Sequence, residues 1–199
     1  MRILIVGATG TIGKAVAAAF GSKHELILAS RSKAHERVDL SDAASIRALY
    51  KRVGRVDAVV SAAGEAAWKP LAQLEDKDFQ FSVGSKLMGQ VNLVRYGLDA
   101  VSDGGSFTLT SGILATRPTP GGAAISMVNA GVDAFARAAA LELPRGLRAN
   151  VVSPPWVSET LTAMGRDPAG GLPAADVARS YVESVEGKQT GAVITPKRR

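Results

Sequence analysis

The sequence predicts a single α/β domain over residues 1–199, a doubly wound parallel sheet of about seven strands with helices on both faces. Three observations predict this fold. Short apolar runs alternate with longer segments of helical periodicity along the whole chain. The first apolar run, residues 3–6, ends in a glycine-rich turn, and a helical pattern begins directly after it. The chain has 199 residues, of which 46% are hydrophobic and 21% charged, which suits one domain with a substantial core.

The predicted elements follow one another as βαβ units, which favour a parallel sheet with right-handed crossovers. The predicted strands are residues 3–6, 26–29, 37–40, 58–61, 106–110, 148–152 and 192–194. The predicted helices are residues 13–20, 43–51, 79–101, 124–143 and 174–183. The segment between the second and third strands is too short for a crossover helix, so this part of the fold is expected to be trimmed.

Composition and charge exclude several classes of function. The chain has no cysteine, which excludes disulfides, thiolate catalysis and zinc–thiolate sites, and we predict no metal site. The net charge is +6, and the tail at residues 197–199 is basic but has no interleaved aromatic residues, so we predict no nucleic-acid binding. No run approaches the roughly 18 apolar residues of a membrane span, and the first run is too short for a signal peptide. We therefore expect a soluble, cytoplasmic protein that does not bind membranes.

The turn after the first strand has the composition of a phosphate-binding site. Glycines recur every third residue there, and glycine permits tight turns and close approach of a ligand to the backbone. The N–H groups and the dipole at the start of the following helix favour an anion such as a pyrophosphate. An ordinary strand-to-helix turn is the alternative. The predicted dinucleotide contacts in this turn are Gly7, Thr9, Gly10, Thr11, Ile12 and Gly13.

The residues after the second strand indicate which dinucleotide is bound. An acidic residue at this place would bind the ribose hydroxyls of NAD, whereas Arg31 offers a guanidinium group suited to the 2′-phosphate of NADP. Ser30 and Ser32 on either side of it can add hydroxyl donors. The sequence thus favours NADP over NAD, and the alternative is that Arg31 is an ordinary surface arginine.

Two further segments complete the predicted cofactor site. Asp39, followed by Leu40, comes at the end of the third predicted strand and can accept a hydrogen bond from the adenine amino group. Alternatively, Asp39 ends the strand ahead of a helix cap. Ala62, Ala63 and Gly64 follow the fourth strand, and their small size lets the backbone lie against a cofactor, although a structural turn has a similar composition.

These segments, in this order, resemble the short-chain dehydrogenase/reductase family over nearly the whole chain. Residues 7–13 are similar to the family's glycine loop, and residues 61–64 are similar to its Asn-Asn-Ala-Gly signature. Residues 140–143 and 146–154 resemble the end of a long helix and the sixth strand, which adds Pro154 to the expected cofactor contacts. The resemblance implies a Rossmann-type fold, NADP(H) binding and hydride transfer between a nicotinamide and a carbonyl or alcohol.

The catalytic pair that the resemblance implies is absent. Family members carry a tyrosine and a lysine four residues apart on the helix after the fifth strand, and the tyrosine exchanges a proton while the lysine lowers its pKa and holds the ribose. The corresponding residues here are Ile125 and Asn129. The family's helix asparagine corresponds to Lys86, and its catalytic serine falls near Ser111, with Gly112 on that position in an ungapped alignment.

Lys86, Ser111 and Asn129 are therefore the candidate catalytic residues of a degenerate active site. A buried lysine can act as an acid or base, and an asparagine can hydrogen-bond a ribose hydroxyl. Lys86 can equally be a structural charge, and Ser111 can simply be part of a turn. Two functions stay open: an NADP-dependent oxidoreductase with a rearranged proton donor, and a non-catalytic NADP(H)-binding redox sensor, regulator or assembly protein.

The resemblance also implies a homodimer or homotetramer formed through the helices at residues 79–101 and 124–143. The second of these helices is rich in alanine and other small apolar residues, which suits close packing between helices. Trp68 and Trp156 are expected either at the mouth of the substrate pocket or in the core. The sequence does not name the substrate, and the covering segment at residues 156–173 suits a small or apolar one.

Overall fold

A computed structural model describes residues 1–198, and its centre is one parallel sheet of seven strands in the order β3-β2-β1-β4-β5-β6-β7. Arg199, at the end of the predicted basic tail, lies outside the described residues. The predicted number of strands and their parallel arrangement are confirmed. The strands are β1 (Arg2–Val6), β2 (Glu25–Ser30), β3 (Glu36–Arg37), β4 (Val56–Ser61), β5 (Val101–Thr110), β6 (Arg148–Val152) and β7 (Val193–Ile194).

Helices cover both faces of the sheet, as predicted. One face packs against α2, α4 and α5, and the other packs against α1 and α7, so each face has its own apolar cluster. The helices are α1 (Thr11–Phe20), α2 (Ala43–Val53), α3 (Asp76–Ser82), α4 (Gly89–Gly97), α5 (Ala123–Glu142), α6 (Ser158–Ala163) and α7 (Ala174–Glu186). Across residues 1–198, none of these helices combines the length and apolarity needed to cross a membrane.

The single helix predicted at residues 79–101 is wrong. The structure begins it earlier, with α3, interrupts it with a π-helical turn at Val83–Met88, and ends it at Gly97. The Asp78 carboxylate accepts the Glu75 N–H at 3.0 Å, which defines the earlier start. A side chain at residue 97 would collide with Tyr50, and the chain then turns into β5.

Two strands also differ from their predicted bounds. β3 is only two residues long, because Val38 and Leu40 leave the sheet and pack their side chains into the core from a loop. β5 begins at Val101 instead of residue 106, and it contains a bulge, since Val101 pairs with Val56 whereas Ser106 pairs with Ala58. The predicted absence of a crossover helix between β2 and β3 is confirmed.

Candidate functional site

The turns after β1, β2 and β4 meet at one edge of the sheet and line a cleft of about 380 Å³. Ligands of open parallel sheets bind beyond the carboxyl ends of the strands, which is where this cleft lies. We call it the first cleft. Its lining residues are Val6, Gly7, Thr9, Gly10, Ser30, Arg31, Ser32, Val38, Leu40, Ala62, Ala63, Gly64, Glu65 and Ser85.

The glycine turn brings the start of α1 to this cleft. Gly10 donates its N–H to the Gly7 carbonyl at 3.0 Å and serves as the N-cap of the helix. A Cβ atom on Gly13 would overlap the backbone of Gly7, so glycine is required for this close packing. The N–H groups of the first helical turn have no partners within the helix. Of the predicted contacts, Gly7, Thr9 and Gly10 line the cleft, and Thr11, Ile12 and Gly13 form the adjoining helical turn.

The three residues predicted after β2 all line the first cleft. Ser30 is buried, and its Oγ accepts the N–H groups of Lys33 at 2.9 Å and Ala34 at 2.7 Å, so this hydroxyl shapes the turn. Arg31 and Ser32 are exposed. The Arg31 guanidinium forms an ion pair with the Glu65 carboxylate at 3.4 Å, and both side chains are more than half exposed. Arg31 is thus an exposed cation at this end of the cleft, in a surface ion pair that contributes little stability.

Asp39 is engaged in a turn beside the first cleft and does not line it. Its Oδ1 accepts hydrogen bonds from the Ser41 hydroxyl at 2.7 Å and the Ser41 N–H at 2.9 Å, and these bonds hold the pKa of Asp39 below its usual value. Asp42 then caps α2 by accepting the Ala44 N–H at 2.8 Å. The structure therefore places Asp39 in the turn between β3, which ends at Arg37, and α2, whereas Leu40 lines the cleft. The hydrogen bond from an adenine to Asp39 stays a prediction.

The small residues after β4 line the first cleft, as expected, but Pro154 does not. Pro154 lies after β6 and lines a different cleft, where its carbonyl accepts the N–H of Ile113 at 2.9 Å. Pro154 thus lies apart from the residues of the first cleft, and its contact with a cofactor stays a prediction. In the sheet, β4 and β5 stand between β1 and β6. The turn after β6, which contains Pro154, is therefore separated from the turns after β1 and β2 that line the first cleft.

A second cleft of about 320 Å³ lies beyond the ends of β5 and β6 and is mostly apolar. Trp68 and Trp156 meet there edge to face, with their ring centroids 5.5 Å apart. The structure thus places both tryptophans on the pocket wall. The lining residues are Trp68, Ser111, Gly112, Ile113, Leu114, Ile125, Asn129, Pro154, Pro155, Trp156, Val157, Thr160 and Met164.

Three residues that the family resemblance aligns with or next to catalytic positions line this second cleft. Ile125 contributes an apolar side chain, whereas Ser111 and Asn129 contribute buried polar groups. Within residues 1–198, Ser111 Oγ and Asn129 Oδ1 have no hydrogen-bond partner. A Cβ atom on Gly112 would lie 3.1 Å from Asn129 Nδ2, so the Asn129 amide reaches the turn after β5. Unpaired buried polar atoms are rare in proteins, and both of these residues line the cavity.

Lys86 lies between the two clefts and lines neither of them. It is 7% exposed, it belongs to the π-helical turn, and its Cα would be 2.9 Å from a Cβ atom on Gly64. Burial lowers the pKa of Lys86 to about 8, and the opposite charge of Asp133 limits this shift. π-Helical turns are frequent at functional sites.

Asp133 lies near Ser111 and Lys86 but lines neither cleft. It is buried and follows Asn129 by four residues on α5, so the two side chains share one helix face. Burial raises the pKa of Asp133, while the Ser111 hydroxyl and the charges of Arg137 and Lys86 act in the opposite direction. The Ser111 hydroxyl thus lies near the Asp133 carboxylate, but Asp133 Oδ1 has no hydrogen-bond partner among residues 1–198.

None of the three tyrosines reaches the second cleft. The Tyr50 hydroxyl donates to the Leu93 carbonyl at 2.6 Å, and the Tyr181 hydroxyl shares a 2.6 Å hydrogen bond with Thr110 Oγ1. Tyr96 packs under the guanidinium of Arg47. The residues that line the second cleft therefore include no phenolic proton donor. Residues 1–198 also contain no group of three His, Cys, Asp or Glu side chains that could hold a metal ion.

Comparison with known proteins agrees with the fold. A family model described as Enoyl-(Acyl carrier protein) reductase matches residues 7–193. The hydroxynaphthalene reductase of Aspergillus fumigatus is 30% identical over 130 residues, which cover 63% of this chain and 48% of that protein. The match thus spans about half the length of this curated relative.

Solved structures match nearly the whole chain. The protein lin1944 from Listeria innocua is 44% identical, covers 98% of both chains and superposes with a TM-score of 0.94. A small-chain dehydrogenase solved in complex with NADPH is 25% identical, with a TM-score of 0.87, over 98% of this chain and 95% of that one. From the family model and the shared architecture, we conclude that this chain belongs to the short-chain dehydrogenase/reductase family.

Proposed function

We propose that the protein binds NADP(H) in the first cleft and acts as an oxidoreductase on a carbonyl or alcohol held in the second cleft. The observation that carries this proposal is the glycine turn at the start of α1, which opens onto the first cleft next to the small residues Ala62, Ala63 and Gly64. The NADPH complex of a structural relative with the same fold supports it.

The residues of the first cleft fit a dinucleotide. The start of α1 offers free N–H groups for a pyrophosphate, and the packing of Gly13 on Gly7 leaves backbone without side chains at that place. Arg31 stands at the far end of the cleft, where its guanidinium can pair with a 2′-phosphate. When bound, the dinucleotide supplies or accepts a hydride. The chain's own residues hold it and position the second reactant.

Arg31 supports NADP over NAD. In this structure it pairs with Glu65 on the opposite side of the cleft, through an exposed contact that a phosphate can replace. No carboxylate occupies the turn after β2 itself, which reads Ser30, Arg31 and Ser32. A carboxylate at that turn would favour the free ribose hydroxyls of NAD.

The polar residues near the second cleft have separate roles in this proposal. Ser111 and Asn129 contact the substrate, because they line the cleft with unpaired polar atoms. Lys86, buried behind Gly64, supplies a positive charge next to the junction of the two clefts. Loss of a positioned acid or base costs about 10²–10⁴ in rate, so slow turnover is expected.

A non-catalytic NADP(H)-binding protein, such as a redox sensor or an assembly protein, is the second candidate. Ile125 favours it, because this residue lines the second cleft where a proton donor is needed and has no proton to transfer. Calorimetric binding of NADPH without turnover would support this function over the first.

The decisive experiment is calorimetric titration with NADPH and NADH, followed by nicotinamide consumption against a panel of carbonyls and alcohols. We expect NADPH to bind more tightly than NADH. Arg31→Ala should weaken NADPH binding about 10- to 100-fold, the loss of one charged hydrogen-bonding partner, and should leave NADH binding nearly unchanged. Arg179→Ala, which removes an exposed arginine on α7, is the matched control.

Failure of both dinucleotides to bind at millimolar concentration would refute the proposal. Binding with turnover supports the oxidoreductase, and the Ser111→Ala and Lys86→Ala variants then test the assigned residues. Equal loss of NADPH and NADH binding in Arg31→Ala would refute the assignment of NADP specificity while leaving the dinucleotide site in place.

We also propose that the chain forms a homodimer or homotetramer through α3, α4 and α5. Four large apolar side chains on this stretch of helices are exposed, although solvent-facing helix positions are normally polar. They are Phe81, Met88, Met127 and Leu141.

A further inference from the structure

We propose that the second cleft binds a flat apolar molecule that carries a phenolic or enolic hydroxyl, and that its redox substrate is of the quinone–hydroquinone class. The hydroxyl lies between Ser111 and Asn129. The redox part of this inference rests on the proposed function, whereas the binding part does not. The redox part names the class of substrate that is best suited to reduction in a cleft without a tyrosine.

The walls of the second cleft suit a flat ring. Two tryptophans meet on one side of it, and apolar side chains and prolines form most of the remaining surface. Aromatic rings stack on and against such surfaces at low cost in conformational entropy. Ile125 extends the apolar wall to the position that the family resemblance assigns to a tyrosine.

The base of the cleft selects a hydroxyl group. Asn129 Oδ1 is buried and unpaired within the described residues, and this oxygen can only accept a hydrogen bond. Ser111 Oγ is also buried and unpaired, and its O–H can donate. A phenolic hydroxyl donates to the first atom and accepts from the second, so one ligand oxygen satisfies both. An ether offers no hydrogen for Asn129 Oδ1, and neither does a ketone or the quinone itself, so within the quinone–hydroquinone pair this base binds the hydroquinone more tightly.

The absence of a tyrosine from this cleft favours a quinone over a simple ketone. A quinone that takes a hydride from the reduced nicotinamide gains two electrons and one hydrogen and becomes a hydroquinone monoanion, while the nicotinamide is oxidised. The monoanion is a phenolate, whose conjugate acid has a pKa of about 10, like that of tyrosine. It forms without a strong proton donor and takes its second proton from water. A simple ketone would become a far more basic alkoxide.

Two titratable groups lie behind this base and do not line the cleft. Asp133 faces Ser111, and Lys86 faces Asp133 from the π-helical turn. Burial disfavours the charged form of both groups, so a charged ligand is not favoured at this base. A neutral hydroxyl is therefore a better match for it than a carboxylate or a phosphate.

The test is binding of 2-naphthol and of its methyl ether, 2-methoxynaphthalene, to the full chain without dinucleotide. Calorimetry gives both affinities, and the two indole N–H signals of the protein in NMR spectra report the location, because both tryptophans of the chain line this cleft. We expect 2-naphthol to bind at least about tenfold more tightly than the ether and to shift both indole signals.

Variants assign this preference to the two base residues. Ser111→Ala and Asn129→Leu should each reduce the preference for the hydroxyl to less than about threefold while leaving the ether's affinity unchanged. Ser126→Ala is the matched control, because Ser126 Oγ on the same helix is also buried and unpaired but does not line the cleft. If Asn129→Leu fails to fold, Ser111→Ala decides the question alone.

Three results would overturn the inference. They are equal affinities for the naphthol and the ether, binding that leaves the indole signals unmoved, and loss of the preference in Ser126→Ala to the same extent as in Ser111→Ala. A parallel titration with NADPH separates this test from that of the proposed function. Hydroxyl-selective binding without any NADPH binding would refute the dinucleotide function and keep the ligand site. NADPH binding without hydroxyl selectivity would refute the ligand site alone.

Discussion

Burial distinguishes Lys86 from the exposed lysines of this chain. Its ammonium group is held where the charged form is disfavoured, and Asp133 compensates for only part of this penalty. A residue kept in this environment contributes less to stability than an apolar residue of similar size would. We therefore infer that Lys86 is present for its charge near the two clefts and not for the stability of the fold.

The pH dependence of stability tests the burial of Lys86. Because the pKa of Lys86 falls from 10.5 to about 8 on folding, the unfolded chain binds more protons between these values. The free energy of unfolding of the wild type should therefore rise with pH in this window, by about 3 kcal/mol relative to Lys86→Met. Urea denaturation at several pH values measures this difference.

The control for that measurement is Lys51→Met, which replaces an exposed lysine on α2. The free energy of unfolding of this variant should follow that of the wild type at every pH. Parallel stability curves for the wild type and Lys86→Met between pH 8 and 10.5 would show that the Lys86 ammonium is solvated in solution.

Residues near the candidate site were predictable to different degrees. Arg31 and the glycines could be found because their roles depend on a single turn next to one strand. Asp133 could not be ranked above the other acidic residues, since its burial depends on α5 packing against the π-helical turn. That Pro154 lines the second cleft could not be predicted either, because the sequence does not say which turns meet.

Among the secondary-structure elements, the broken helix at residues 76–97 departs most from the prediction. Apolar periodicity continues through the π-helical turn, so the pattern alone gives no sign of the interruption. Gln90 lies in α4, directly after the interruption. Its side-chain NH₂ donates to the carbonyls of Lys86 at 3.1 Å and Thr110 at 2.8 Å, and its Oε1 accepts the Thr110 N–H at 2.7 Å. This fully buried amide ties the helix to the end of β5.

Gln90→Leu should destabilise the protein by about 3 kcal/mol. The leucine fills a similar volume, but the Thr110 N–H and carbonyl are left buried without this partner, at about 1–3 kcal/mol for each unsatisfied group. Urea denaturation measures the change. Gln73→Leu, at an exposed glutamine, should change stability by less than about 0.5 kcal/mol. A similarly small effect of Gln90→Leu would mean that water replaces the lost bonds.

At the scale of the whole molecule, the proposed assembly predicts a mass of two or four chains in light scattering at micromolar concentration. Leu141→Glu should shift this mass toward one chain, because Leu141 is 89% exposed in the single chain and lies on the proposed interface. Its exposure also means that the substitution should not unfold a monomer.

Leu71→Glu is the control, because Leu71 is 70% exposed but lies outside α3, α4 and α5. We expect it to leave the mass unchanged. A wild-type mass of one chain at micromolar concentration would refute the proposed assembly directly.

The sequence by itself determined the parallel sheet, the order of most helices and strands, and the glycine turn at the start of α1. These features depend on local periodicity and on the backbone freedom of neighbouring residues, which a single stretch of chain records. The family resemblance further predicts that Ile125 stands at the position of the expected tyrosine.

Only the tertiary structure decided which side chains share a cavity. Trp68 follows β4 and Trp156 follows β6, yet their rings meet. Lys86 and Asp133 come from different helices, and both are buried close enough for the charge of one to shift the pKa of the other. Such contacts arise from the packing of elements far apart in the chain, and the strand order that brings their turns together is not written in any one of them.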